Sequence, residues 1–280
     1  LKWLKNKYNS KAYLIVRDIF PKWALDSGLI KRGLIYNYFK YVEKKLYNAA
    51  DIIGIETKSD IFYFENYGLP KTIQIEVLSN WGSALDELID EPDEKILDNK
   101  KINIVYGGNI GDAQDLFSLV DSIDYSILDK RAQLVLIGGG NQYNKIKNLI
   151  YTKKLRNIIL MPLVERSIYW SILLKADIGL VSLGKNMKSH NLPLKMMGYM
   201  QLSKPILASV NTNNEIIQLI VENNIGLVSE ASDVKNFNIN LNSIISNEQA
   251  RRLQGENSFK LFNNRFTVKH AANQIYTHFI

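Results

Sequence analysis

Apolar and polar positions alternate with two different periods along the whole chain. Short apolar runs predict buried strands, and the stretches between them show the spacing of amphipathic helices. In the last two thirds of the chain this pattern predicts six strands, at residues 101–106, 132–137, 158–161, 178–181, 205–208 and 226–228. It predicts helices between them, at residues 115–128, 142–154, 167–175, 194–201 and 214–222.

Regular alternation of strands and helices is typical of an α/β protein with a parallel sheet covered on both faces, as in a Rossmann-like domain. A closing stretch, residues 243–278, is predicted to be helical with an interruption near Asn263 and Asn264. The first part of the chain shows the same alternation, with strands at residues 12–16, 51–56 and 72–78 and helices at 34–46 and 58–67.

An acidic stretch separates the two parts. Seven acidic residues lie between Asp86 and Asp98, around Pro92, and we interpret this stretch as a linker. We therefore predict an N-terminal domain with its linker at residues 1–98 and a C-terminal domain at residues 99–265. Residues 266–280 are predicted to form a helix that packs back on the first domain.

Composition excludes several classes of protein. Apolar residues make up 46% of the 280 residues, and no apolar run reaches the ~18 residues that span a bilayer. The chain has no cysteine and only three scattered histidines, His190, His270 and His278, which argues against disulfides and zinc sites. The net charge of +7 favours anionic partners. Because the chain opens with Leu1 and shows no secretory signal, we expect its N-terminus to lie upstream.

Two glycine clusters follow predicted strands. Residues 107–111 read Gly-Gly-Asn-Ile-Gly, between a strand and a helix, where backbone amides and a helix N-terminus suit a diphosphate. A tight turn that needs positive φ is an equally good reading. No Lys-Ser/Thr follows, which excludes a P-loop. The second cluster, residues 138–140, is at least as well explained as a flexible turn.

The densest polar stretch of the chain is residues 185–191, Lys-Asn-Met-Lys-Ser-His-Asn, after the strand at 178–181. Basic and amide side chains at the carboxyl end of a strand suit an anionic ligand rich in hydroxyls, although a solvated loop fits as well. Lys195 lies in the first turn of the next predicted helix, where the helix dipole disfavours a cation. A lysine there is easier to explain if an anion binds beside it.

Several of these segments together resemble a known family. GGNIG at residues 107–111, ADIGLVSL at 176–183 and HNLPLKMMGYMQLSKPILASVN at 190–211 resemble the C-terminal domain of family 4 glycosyltransferases, which have the GT-B fold. The resemblance is strongest to bacterial O-antigen and capsule transferases for amino sugars of the L-fucosamine type. Residues 11–60, including RDIFP at 17–21, resemble the second half of that family's N-terminal domain, so the resemblance implies that the first half of that domain is missing.

The resemblance implies a nucleotide-sugar site in the C-terminal domain and an acceptor side in the N-terminal domain. Arg17, Asp18 and His190 would then be catalytic residues. Residues that would bind the donor are Gly107, Gly108, Asn109, Gly111, Gly138, Asn191, Leu192 and Lys195.

The implied reaction moves a sugar from a UDP-sugar to a lipid-linked glycan, with retention of configuration and without a metal ion or other cofactor. Amides, a lysine and a helix N-terminus suit that chemistry because the leaving diphosphate needs stabilisation and not a strong nucleophile.

The chain departs from the family pattern at two places. Many members carry two glutamates separated by seven residues, and here His190 and Gly198 stand at those positions. A basic pair that often follows the first glycine loop is replaced by Asp112 and Gln114. These departures leave two other functions open, a non-hydrolysing nucleotide-sugar epimerase and a non-catalytic nucleotide-binding partner.

The helix predicted at residues 34–46 is basic and rich in tyrosine. It could rest on an anionic bilayer, where a lipid-linked acceptor would lie, or pack on its own sheet with a solvated lysine face. We accordingly expect a cytoplasmic protein, with a peripheral contact to the inner face of the plasma membrane if the first reading holds. Nucleic acid is not expected as a partner, because the positive charge is dispersed and no stacking motif is present.

Overall fold

The computed structural model describes residues 2–26, 28–82, 96–187 and 192–280. Contacts divide the chain into two compact units. Unit 1 contains residues 1–81, 188–192 and 268–280, and unit 2 contains residues 82–187 and 193–267. The contacts therefore divide the chain after Trp81, whereas the acidic pattern placed the boundary at residue 98. Most of the acidic stretch, residues 86–95, lies outside the described residues.

Unit 1 is built on a three-stranded parallel sheet in the order β1-β2-β3. Its strands are β1 (Tyr13–Val16), β2 (Ile52–Ile55) and β3 (Gln74–Val77), each inside a predicted strand. Apolar side chains of these strands, among them Val16 and Ile53, pack with Tyr47 and Phe64. Four helices precede or connect the strands: α1 (Lys2–Tyr8), α2 (Lys22–Asp26), α3 (Leu34–Tyr47) and α4 (Lys58–Glu65).

Unit 2 contains all six strands that the apolar pattern predicts. They form one parallel sheet in the order β6-β5-β4-β7-β8-β9, which is the order of a Rossmann domain. The strand order reverses between β4 and β7, and ligands of such sheets bind at this switch point, beyond the carboxyl ends of the strands. The strands are β4 (Ile102–Asn109), β5 (Ala132–Gly139), β6 (Ile158–Met161), β7 (Ile178–Ser182), β8 (Ile206–Val210) and β9 (Gly226–Glu230).

The first helical stretch of unit 2 differs from the prediction. Residues 115–128 do not form one helix, because Ile123 is extended and the Asp124 side chain accepts a hydrogen bond from the Ser126 amide, which starts a new helix. The elements here are α5 (Leu116–Ser122), α6 (Tyr125–Leu128) and a 3₁₀ turn (Asp129–Arg131). The next four helices match the prediction closely: α7 (Tyr143–Lys153), α8 (Arg166–Lys175), α9 (Leu194–Gln201) and α10 (Glu215–Asn223).

The closing part of the chain is helical, but its breaks are not where the sequence placed them. It forms α11 (Val234–Ser246), α12 (Glu248–Arg265) and α13 (Val268–Tyr276). Asn247 separates the first two because its side chain accepts a hydrogen bond from the Ala250 amide and caps α12. The interruption predicted near Asn263 and Asn264 lies two residues further on, at Phe266 and Thr267, because α12 continues through both asparagines and ends at Arg265.

Helix α13 belongs to unit 1, although it is last in the chain. Gln274 donates to the Val77 carbonyl oxygen at 2.9 Å, and His278 Nε2 lies 2.9 Å from Glu76 Oε2. These polar contacts hold α13 against β3. Within the described residues, no helix is both long enough and apolar enough to cross a membrane.

Candidate functional site

The two glycine clusters of unit 2 lie side by side at the carboxyl ends of β4 and β5. Both strands extend into the glycine clusters, so that Gly108 pairs with Gly138 and Asn109 pairs with Gly139. The prediction that β4 ends at Tyr106 is therefore wrong by three residues. A Cβ on Gly138 would lie 1.8 Å from the Gly108 carbonyl oxygen, so only glycine fits there. Gly138 thus allows close approach of the two loops, while Gly108 and Asn109 are exposed.

Side chains replace the expected basic pair with a polar link between the two loops. Asp112 accepts hydrogen bonds from Asn141 and Gln142, at the start of α7. Gln114 accepts one from the Asn109 side chain at 2.8 Å, and Asn109 in turn lies close to Gly111, where a Cβ would meet its amide. Asp112 and Gln114 therefore fix the shape of the glycine loops instead of adding positive charge.

Positive charge at this edge comes from Lys195, in the first turn of α9. Its Nζ lies 3.6 Å from the centre of the Tyr106 ring. It also lies beside Gly108, since a Cβ built on that glycine would be 3.4 Å from the Lys195 Nζ. In the described parts of the chain its ammonium has no carboxylate partner, and burial lowers the pKa of Lys195 to about 7. The exposed backbone of Gly108 and a partly buried, uncompensated cation therefore lie together.

Tyr199 positions the helix that carries Lys195. Its hydroxyl donates to the Leu180 carbonyl oxygen at 3.1 Å and accepts a weak hydrogen bond from the Gly107 amide at 3.4 Å. Aromatic rings leave no room for a side chain at two neighbouring glycines. A Cβ on Gly107 would lie 2.3 Å from the Tyr169 ring, and a Cβ on Gly179 would lie 2.3 Å from the Tyr199 ring. The sequence pattern gave no sign of this role, because a buried tyrosine in an apolar helix looks like an ordinary core residue.

Gly198 is explained by packing. A Cβ at this position would lie 3.2 Å from the Trp170 indole and 3.4 Å from Leu173, both on α8. A glutamate, which many family members carry here, would have to displace the indole ring.

The helix after the first glycine loop contributes less than the sequence suggested. The stretch predicted as one helix from Asp115 to Leu128 is interrupted, and α5 has only seven residues. The segment just before α5 carries two carboxylates, those of Asp112 and Asp115. Its N-terminus is therefore a poor anion site, and Lys195 is the stronger source of positive charge.

Unit 1 has its own polar cluster at the carboxyl ends of its strands. Arg17 follows β1 and donates from Nη1 to the Leu78 carbonyl oxygen at 2.7 Å, and its guanidinium lies 4.4 Å from the Trp81 ring centre. Its Nη2 is buried and has no hydrogen-bond partner among the described residues. Asp18, the next residue, is exposed.

Glu56, at the end of β2, is the main residue of this cluster that the sequence analysis missed. Its Oε1 accepts hydrogen bonds from the Leu192 amide at 2.9 Å and from Asn80 Nδ2 at 2.8 Å. Burial raises the pKa of Glu56 to about 7, against the opposing effects of the Leu192 amide and the positive charge of Arg17. An acid at the carboxyl end of a predicted strand, here the last residue of the strand predicted at 51–56, is a signal that could have identified it.

The loop predicted to contact the donor is only partly described. His190 and Asn191 lie outside the described residues. Leu192 is buried, its amide donates to Glu56, and its carbonyl oxygen accepts from Asn80 at 2.9 Å. Of the predicted residues, the structure thus brings together Gly107, Gly108, Asn109, Gly111, Gly138 and Lys195 in unit 2, and Arg17, Asp18 and Leu192 belong to unit 1.

Comparison with known proteins identifies the family and the fold of the chain. The family model "Glycosyl transferases group 1" matches residues 89–261, more than half of the chain. The chain belongs to this family. The Anabaena protein HepE in complex with UDP has a TM-score of 0.71 at 12% identity, over 99% of this chain and 74% of that one. The fold of this group 1 chain is α/β, of the GT-B type.

Two relatives of this group 1 chain are longer proteins, and the chain matches only part of each. WbjE of Pseudomonas aeruginosa, named as a probable glycosyltransferase, is 26% identical over 230 residues, 77% of this chain and 55% of WbjE. WcaI of Escherichia coli K12, whose name assigns it to colanic acid biosynthesis, is 25% identical over 178 residues, 64% of this chain and 42% of WcaI. The chain thus spans about half the length of the curated relatives it matches.

The lowered pKa of Lys195 makes a prediction about stability. Lys195 loses its proton near pH 7 when folded, whereas an unfolded lysine does so near pH 10.4. Between these values the unfolded chain binds more protons, so the free energy of unfolding rises with pH. We expect Lys195→Met to stabilise the protein, by about 2–3 kcal/mol more at pH 6 than at pH 9, in urea unfolding. Lys175→Met, at an exposed lysine of α8, serves as the control. A gain for Lys195→Met that does not vary with pH would contradict the assignment.

Proposed function

We propose that this protein is a glycosyltransferase that moves a sugar from a UDP-sugar donor to a lipid-linked glycan in bacterial surface polysaccharide synthesis. The observation that carries the proposal is the uncompensated ammonium of Lys195 beside the exposed backbone of Gly108, at the switch point of a Rossmann-like sheet. Membership of the group 1 family, the name of WcaI and the UDP bound to HepE support it.

The proposed chemistry rests on stabilising the leaving group. When the bond between the anomeric carbon and the diphosphate breaks, negative charge grows on the diphosphate, and a partly buried cation stabilises that charge more than an exposed one because fewer waters screen it. Lys195 supplies this charge in the proposal, and Gly107, Gly108, Asn109 and Gly111 let the backbone approach the phosphates. We propose that no metal ion takes part and that the configuration of the sugar is retained, as the family 4 resemblance implies.

We propose that unit 1 handles the acceptor. Arg17 has a buried Nη2 without a partner in the described residues, and an acceptor oxygen could supply one. Asp18 and His190 remain candidates for proton transfer in this proposal. An N-acetylated deoxyamino sugar of the fucosamine type is the donor sugar that the sequence resemblance favours.

The exposed face of α3 supports a peripheral contact with an anionic membrane. Leu34, Ile35 and Tyr38 are 90%, 65% and 62% exposed, so this part of the apolar stripe is not packed on the sheet. Lys40 points elsewhere, since its Nζ bonds to Glu43 and to the Tyr63 hydroxyl. We propose that the apolar residues enter the headgroup region while nearby basic residues bind anionic lipid. Those basic residues are Lys31, Arg32, Lys44 and Lys45.

A titration calorimetry experiment tests the donor site. Lys195→Ala removes the only cation that the described site places beside the glycine loops, so we expect UDP to bind about 10–100-fold more weakly. Lys175→Ala, in the same unit but on an exposed helix end, is the matched control and should bind UDP like the wild type. Equal UDP affinity of the Lys195→Ala variant and the wild type would refute the proposed role of Lys195.

A vesicle sedimentation experiment tests the membrane contact. Replacing Lys31, Arg32, Lys44 and Lys45 by glutamine should reduce binding to vesicles rich in phosphatidylglycerol at least tenfold, because each basic residue near such a surface contributes about 1 kcal/mol. A control variant with the same change of charge replaces four lysines on or next to α7: Lys145, Lys147, Lys153 and Lys154.

The control should bind these vesicles like the wild type. If the two fourfold variants bind equally, the contact is not made by α3.

A further inference from the structure

Three neighbouring strands of unit 2 end with the same pattern, a leucine, a small apolar residue and a serine. The pattern is Leu180–Ser182 in β7, Leu207–Ser209 in β8 and Leu227–Ser229 in β9. Ser182 pairs with Ser209, and Ser209 pairs with Ser229. Because side chains alternate along a strand, the serines share a face with the leucines, which pack in the core. A row of three hydroxyls thus ends an otherwise apolar face of the sheet.

Two of these serines line a cavity of about 160 Å³. Cavities of about 150 Å³ are known to hold a molecule of one six-membered ring, so the cavity has the size of a single small ligand. The polar side chains that line it come from the ends of β7 and β8, from α5 and the residue before it, and from the segment that begins α11: Asp115, Ser118, Ser122, Ser182, Ser209, Ser232 and Asp233.

The Ser209 hydroxyl lacks a partner. Ser209 is 5% exposed, and its Oγ makes no hydrogen bond with any described residue, although it lines the cavity. The two neighbouring serines do have hydrogen-bond partners. Ser182 Oγ donates to the Gln114 carbonyl oxygen at 2.6 Å, and Ser229 Oγ donates to the Ala208 carbonyl oxygen at 3.4 Å. Ser209 Oγ is not fully buried, so its hydroxyl faces the cavity and is free to bond to a ligand there.

The two carboxylates of the cavity are not neutralised by a base in the described residues. Asp115 accepts hydrogen bonds from Ser118 Oγ and the Gln142 amide group, and Asp233 accepts from the amide and side chain of Asn236. All these donors are neutral, so two negative charges remain at a cavity rich in hydroxyls. Such a lining favours a ligand that carries both a positive charge and hydroxyl groups.

We propose that this cavity binds a small, hydroxyl-rich amine of one six-membered ring, such as a hexosamine with a free amino group. The protonated amine lies between Asp115 and Asp233, and a ring hydroxyl bonds to Ser209. The cavity shares no lining residue with the glycine loops or Lys195, and its charge has the opposite sign. Gln114 contacts both places, because its side chain bonds to Asn109 and its carbonyl oxygen to Ser182.

The test uses ligand-detected NMR with D-glucosamine, which is cationic at about pH 6.5, and compares it with D-glucose and N-acetyl-D-glucosamine, which are neutral. We expect D-glucosamine to bind at least tenfold more tightly than either neutral sugar, as a charge-assisted contact requires. Ser209→Ala removes the unpaired hydroxyl and Asp233→Asn removes one charge while keeping an oxygen for the α11 cap. Each should weaken D-glucosamine binding about five- to tenfold.

The matched control is Ser229→Ala, which removes the hydroxyl of the same row that is already bonded and does not line the cavity. It should leave D-glucosamine binding unchanged, and circular dichroism checks that all variants are folded. Equal binding of D-glucosamine and D-glucose would overturn the proposal. So would wild-type affinity for D-glucosamine in both the Ser209→Ala and Asp233→Asn variants.

Discussion

A partly buried lysine without an acidic partner is unfavourable on its own, and Lys195 is held in this state by the surrounding residues. The Tyr106 ring lies against its ammonium, and burial lowers its pKa to about 7. A group in this state gains most when an anion arrives, since the anion restores the charge and replaces the lost hydration. The rest of the proposed donor site depends on this one uncompensated charge.

The fold holds Lys195 in place through contacts that leave little freedom. Gly138 lets β4 and β5 approach so closely that no other residue fits. Tyr199 links α9 to β4 and β7 through its hydroxyl, and Gly179 makes room for its ring. A cation placed this firmly needs no reorganisation when charge develops on a leaving diphosphate, which is how preorganised sites lower a reaction barrier.

The sequence predicted the strands well because each has a distinct apolar run bounded by turn residues, and it correctly placed Lys195 in the first turn of a helix that follows a strand. It did not predict the partners of Lys195. Tyr106 looks like a core residue, and only the three-dimensional packing brings its ring to the lysine. Glu56 was read as the end of a strand, although its hydrogen bond with Leu192 joins positions 136 residues apart. The breaks at Asp124 and Asn247 were missed because their side chains cap new helices, an effect that apolar periodicity does not report.

If Lys195 stabilises the diphosphate, it takes up a proton when a nucleotide diphosphate binds. Calorimetric titration with UDP at pH 8, in HEPES and in Tris, measures this uptake directly, since the two buffers differ in ionisation enthalpy. At that pH a lysine with a pKa of about 7 is mostly neutral before binding and charged afterwards. We expect an uptake of close to one proton per UDP, roughly 0.9, which disappears in Lys195→Ala. Equal binding enthalpies in the two buffers would contradict it.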